Sequence, residues 1–131
     1  MKKKNTLLLF LCLFSLWAVA QEKKPVKIAC VGNSITYGSG IKNQFQNSYP
    51  GLLSQLLGEG YDVRNFGISA RVLLNKGDHP YMHEQKFRDL LAFQPDIVTI
   101  KLGTNDSKPW NWRYGKDFNN RNTYSILWKR F

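Results

Sequence analysis

A chain of 131 residues with 43% hydrophobic side chains has room for one small domain and not for two. Its formal charge of +10, from 19 basic against 9 acidic residues, is concentrated at the two ends instead of interleaved with apolar segments, which argues against a nucleic-acid surface. Two histidines and two cysteines, with no metal-ligand spacing between them, exclude a recognisable zinc site, and no organic cofactor motif is present.

Lys2, Lys3 and Lys4 precede an apolar run from Leu7 to Val19, and Ala18-Val19-Ala20 places small residues where a signal peptidase reads. Residues 1–20 are therefore expected to be a signal peptide cleaved after Ala20, giving a secreted or periplasmic product. The run is short for a bilayer span, so no membrane attachment is expected after cleavage. Of the two cysteines only Cys30 lies beyond the cleavage point, which precludes an intramolecular disulfide; in its apolar run it reads as a buried small hydrophobe.

Val26 to Val31, ending at Gly32, is a short apolar run, with Lys27 near its start, of the kind buried on both faces of a parallel sheet. A polar, glycine-containing loop follows to Asn47. Ser48 then stands as a helix cap with Pro50 in the first turn, and Tyr49, Leu52, Leu53, Leu56 and Leu57 form one helical stripe ended by Gly58 and Gly60. Tyr61 to Phe66 reads as a second strand, and Asp62 and Arg64 mark it as an edge. Pro80 to Phe93 carries a weaker helical pattern through Phe87, Leu90 and Leu91, and residues 96–102 form a third, mostly apolar strand.

Strand, helix, strand, helix, strand predicts a parallel α/β sheet with helices on both faces, a three-layer α/β/α flavodoxin-like arrangement with strand order 2-1-3. The third strand then lacks a neighbour on its far side, because the only later apolar cluster, Tyr124 to Trp128, is short and set among basic residues. The sequence thus divides into a signal peptide over 1–20, a domain segment over 21–117 and an atypical basic tail over 118–131. Only the first three strands of such a sheet are expected, and the expectation is that a frameshift or premature stop lies behind that pattern.

Ligands of open parallel sheets bind beyond the carboxyl ends of the strands. Three loops fall there: Gly32-Asn33-Ser34-Ile35-Thr36, Asn65-Phe66-Gly67-Ile68-Ser69 and Gly103-Thr104-Asn105-Asp106. Spacing excludes a dinucleotide fingerprint, a P-loop and a Gly-x-Ser-x-Gly elbow. What remains is a hydroxyl, Ser34, facing donors from neighbouring loops, the residue types that acyl transfer requires. Each taken singly has an ordinary turn role.

Together these blocks resemble the SGNH or GDSL-like hydrolases, with Asn33 where the first block usually has Asp. The resemblance implies that Ser34 is the nucleophile and that Ser34, Gly67 and Asn105 form the oxyanion hole. Gly77-Asp78-His79-Pro80-Tyr81 and Lys108-Pro109-Trp110-Asn111-Trp112 are similar to secreted bacterial sialate O-acetylesterases, implying an O-acetylated carbohydrate substrate such as a sialic acid. Trp110 and Trp112 are candidates for an aromatic wall against the sugar. The family's Asp-x-x-His block is absent from the 131 residues, and Asp78, His79 and His83 do not have its spacing. The expectation is a weak or inactive serine esterase fragment; a non-catalytic carbohydrate-binding remnant and a non-functional product are the alternatives. Oligomeric state is not legible.

Overall fold

The computed structural model describes residues 24–112, so the signal segment, the tail and the expected boundaries at 20 and 117 lie outside the described residues. Three strands form one parallel sheet: β1 (Val26–Gly32), β2 (Tyr61–Gly67) and β3 (Ile97–Lys101), in the order β2-β1-β3. That is the expected architecture. β1 sits centrally because it can be buried on both sides, and Ala29, Cys30 and Val31 are fully inaccessible. β2 takes the edge, where Arg64 and Asp62 reach solvent and pair with each other at 2.8 Å.

Among the described residues five α-helices accompany the sheet: α1 (Ser34–Tyr37), α2 (Gln44–Asn47), α3 (Tyr49–Leu57), α4 (Gln85–Phe93) and α5 (Pro109–Trp112). Register shows which face each main helix covers. Ala29 is opposite Val98, and Val31 is opposite both Phe66 and Ile100; Phe87, Leu90 and Phe93 of α4 complete this cluster. The residues between them point the other way. There Cys30 lies opposite Thr99, and the Tyr49 hydroxyl of α3 is 3.3 Å from Thr99 Oγ1. α3 and α4 therefore lie on opposite faces, and the three-layer reading holds. Cys30 is a buried free thiol, as its apolar setting implies.

Several local expectations need correction. Ser48 occupies the cap position of α3, but its hydroxyl makes no capping bond and is buried without a partner. The apolar stripe of α3 is only partly used: Leu52 is 47% and Leu56 84% exposed. The second helix does not run unbroken from Pro80. A 3-10 turn over Tyr81–His83 comes first, Glu84 is extended, and α4 starts at Gln85. The turn is fixed by Tyr81, whose hydroxyl donates to the Phe66 carbonyl at 2.6 Å from full burial. Burial, with smaller contributions from Asp89 and Glu84, pushes the Tyr81 phenol well above its ordinary range. Among the described residues β3 pairs with β1 alone, and its residues alternate between exposed and half-buried.

Candidate active site

The three strands end level with one another. Gly32 is in register with both Gly67 and Lys101, Ile68 N–H donates to Gly32 O at 2.9 Å, and Asn33 N–H to Lys101 O at 3.3 Å. The loops carrying Ser34, Gly67 and Asn105 therefore leave the same edge of the sheet side by side.

Ser34 opens α1. Asn33 caps this short helix, its Oδ1 accepting from Ile35 N at 3.1 Å; a carboxylate could fill the same role, which explains why Asn serves here. As first residue of the helix, Ser34 contributes one of the N–H groups that have no intrahelical acceptor. Its side chain is half-buried, and no other described residue bonds its hydroxyl.

Gly67 is required for a reason that the sequence did not disclose. A Cβ there would come within 2.7 Å of the Thr36 carbonyl carbon and 2.8 Å of Tyr37 Cα, so α1 can seat on β2 only over a glycine. Its N–H is already engaged, donating to Asn65 Oδ1 at 2.8 Å, while Asn65 Nδ2 donates to Thr36 O at 2.9 Å. Asn65 thereby joins β2 to α1, and a ligand using the Gly67 N–H shares it with this side chain. Lys86, half-buried, donates to Gly67 O at 3.0 Å with its ammonium 5.7 Å from the Tyr37 ring. Burial lowers its pKa, against the opposing charge of Asp89. Asn105 spends one Nδ2 hydrogen on Arg71 O at 3.0 Å, leaving the amide's second hydrogen for another acceptor.

Asp106, quoted in the sequence only as part of a block, is a buried staple. Its carboxylate accepts from Leu73 N at 2.9 Å and from Leu74 N at 2.7 Å. Asn111 is another such link. Fully buried, it donates from Nδ2 to Asn105 O at 3.0 Å and to Asp78 Oδ1 at 3.1 Å, and accepts from Asp78 N at 2.9 Å. Only a buried amide offering both donor and acceptor signals this role, and nothing in the linear spacing does.

Asp78 lies shortly before the 3-10 turn over Tyr81–His83. It receives Trp110 Nε1 at 2.9 Å and faces Lys108 Nζ at 3.5 Å. Partial burial acts to raise its pKa, but the hydrogen bonds from Trp110 and Asn111 and the Lys108 charge prevail and hold it at about 2. Trp110 is 54% exposed; the Trp112 side chain is outside what the structure describes. His79 and His83 are exposed, and neither is bonded to the Ser34 hydroxyl. Among the described residues no three His, Cys, Asp or Glu side chains group as a metal site. A separate cleft of about 300 Å³ lies between α2, α3 and β2 and shares Asn65 with this region.

Comparison with known proteins bears on this arrangement. A model of the GDSL-like Lipase/Acylhydrolase family matches residues 30–127. An "Acetylxylan esterase" of Xylanibacter ruminicola is 57% identical over 99 residues, covering 76% of this chain and 21% of the relative. The chain thus spans about a fifth of that relative's length. No solved structure matched.

Proposed function

Because the chain belongs to the GDSL-like lipase/acylhydrolase family, we propose that it supplies the serine-bearing part of a carbohydrate O-acetyl esterase. The observation that carries this reading is Ser34 itself: a hydroxyl bonded to no other described residue, at the first position of a helix, at the carboxyl end of the central strand. In the proposed reaction Ser34 Oγ attacks the acetyl carbonyl and loses its proton to a base. The negative oxygen of the tetrahedral adduct then lies among Ser34 N–H, Gly67 N–H and Asn105 Nδ2. Collapse expels the sugar oxygen, which takes up the proton to become a hydroxyl, and water releases acetate from the acyl-serine.

The relative's name supports a xylan-type acetyl ester as substrate; a sialic acid ester, the class implied by the motifs around Asp78 and Trp110, is the competing choice. The 131 residues contain no Asp-x-x-His, and loss of one triad member costs roughly ten-thousand-fold in turnover. This chain by itself is therefore proposed to acylate slowly. Residues 1–20 are proposed to direct it out of the cytoplasm.

The test is mass spectrometry of the chain after exposure to an activated aryl acetate. An acetyl adduct on the peptide bearing Ser34, absent in Ser34→Ala, supports the reading. Equal labelling of both proteins rejects it. Saturable sugar binding without any adduct favours the carbohydrate-binding alternative.

A further inference from the structure

We infer that Trp110 is a stacking platform for a neutral pyranose ring, aimed by Asp78 and electrically balanced by Lys108. The inference rests on the carbohydrate-ester reading above and narrows its substrate class.

The Trp110 indole is held but not hidden. Its N–H is committed to Asp78 Oδ2 at 2.9 Å, yet 54% of the residue remains exposed. An aromatic side chain that merely closed the end of the sheet would be expected to bury its faces and keep only its polar edge wet. Here the polar edge is tied down while more than half of the residue stays open to solvent, with Lys108 as its neighbour over the ring. The cost of ordering the ring is met before any ligand arrives, which is what a preorganised contact requires.

The clamp is anchored by one buried member. Asn111, with no exposed surface, bonds Asp78 through both its backbone N–H and its carboxylate. The same amide donates to Asn105 O at 3.0 Å. The platform and the proposed oxyanion donor thus belong to one bonded unit, so a sugar held on the ring is held relative to Asn105.

Charge selects the ligand. Lys108 Nζ lies 5.6 Å from the Trp110 ring centroid and 3.5 Å from Asp78 Oδ2. Among the described residues, the cation at the ring, Lys108, is offset by Asp78. A sialic acid or uronic acid would call for an uncompensated cation there, whereas Lys108 is already paired. The alternating C–H face of a neutral pyranose needs only the aromatic surface.

The experiment is an intrinsic-fluorescence titration of the full chain with an unacetylated xylo-oligosaccharide and, separately, with the methyl glycoside of N-acetylneuraminic acid. The expected result is saturable binding of the neutral sugar, weakened about tenfold or more by Trp110→Ala, the scale of one good aromatic contact. Asp78→Asn, which leaves Lys108 unbalanced, is expected to shift preference toward the anionic sugar. Circular dichroism of each variant establishes that it is folded. Absence of saturable neutral-sugar binding, an unchanged affinity in folded Trp110→Ala, or tighter binding of the sialoside by the parent chain overturns the inference. This titration reads sugar binding alone, so a failure of the esterase reading registers in the aryl acetate assay and not here.

Discussion

Removing the Asp106 carboxylate should cost more stability than its place in a surface loop suggests. Two backbone N–H groups, of buried Leu74 and half-buried Leu73, donate to this one side chain at 2.7 and 2.9 Å. Asp106→Ala strands the Leu74 donor away from water, strips the half-buried Leu73 donor of its partner and leaves a small void. Each bond to a charged acceptor contributes about 1.5–3 kcal/mol, and part-exposure of Leu73 puts it at the low end. The expected total is about 3 kcal/mol, or on the order of 15 °C in Tm for a domain of this size. Asp106→Asn keeps an oxygen that can accept both bonds and gives up the charge, so its expected cost is about 1 kcal/mol. Urea unfolding followed by circular dichroism measures both, and hydrogen exchange at the Leu74 amide reports the bond directly. Should Asp106→Ala fall within about 0.5 kcal/mol of the parent, the range for an uninvolved surface position, the staple has no energetic role and the reasoning fails.

Ser48→Ala is expected to be neutral or slightly stabilising, against the loss of about 1 kcal/mol usual at a helix cap, because the hydroxyl is buried without a partner; urea midpoints decide. Asp78 is held at about 2 when folded, below the ordinary carboxylate value of about 3.9. Its contribution to stability is therefore complete above about pH 4 and disappears as pH falls toward 2. Asp78→Asn should flatten the stability curve over that interval, and an acid titration of the two proteins with matching slopes would contradict this. Gly67→Ala places a methyl against the backbone of Thr36 and Tyr37, and should cost about 1–3 kcal/mol from overpacking, read from the shift in urea midpoint.

What the sequence made legible was whatever depends on neighbours along the chain. The apolar run of β1, the polar interruptions of β2 and the loops at the strand ends follow from local patterning, and they yielded the strand order. Patterning misled where packing decides. Leu52 and Leu56 fit the apolar stripe of α3 yet face outward, because a stripe shows which side can be buried and not what is there to bury it. The break at Glu84 was hidden because the Tyr81 hydroxyl that anchors the preceding turn bonds a strand 15 residues earlier. In the candidate site the residue types of Ser34, Gly67 and Asn105 were readable, whereas the engagement of the Gly67 N–H by Asn65 was not. Asp106 and Asn111 carried no signal, since a staple is defined by what it reaches.

The bonds that shape the site have a consequence for how the chain folds. Asn65 to Thr36, Leu74 to Asp106, Asp78 to Asn111 and Asn105 to Arg71 each join positions 29 to 34 residues apart. Closing intervals of that length costs chain entropy before any contact compensates it, so such links form late. Helix α3 can flicker into existence by itself; the site cannot. Its assembly waits for both crossovers to dock, and the amides of Gly67, Leu74 and Asp78 should then exchange with solvent only when the whole sheet opens.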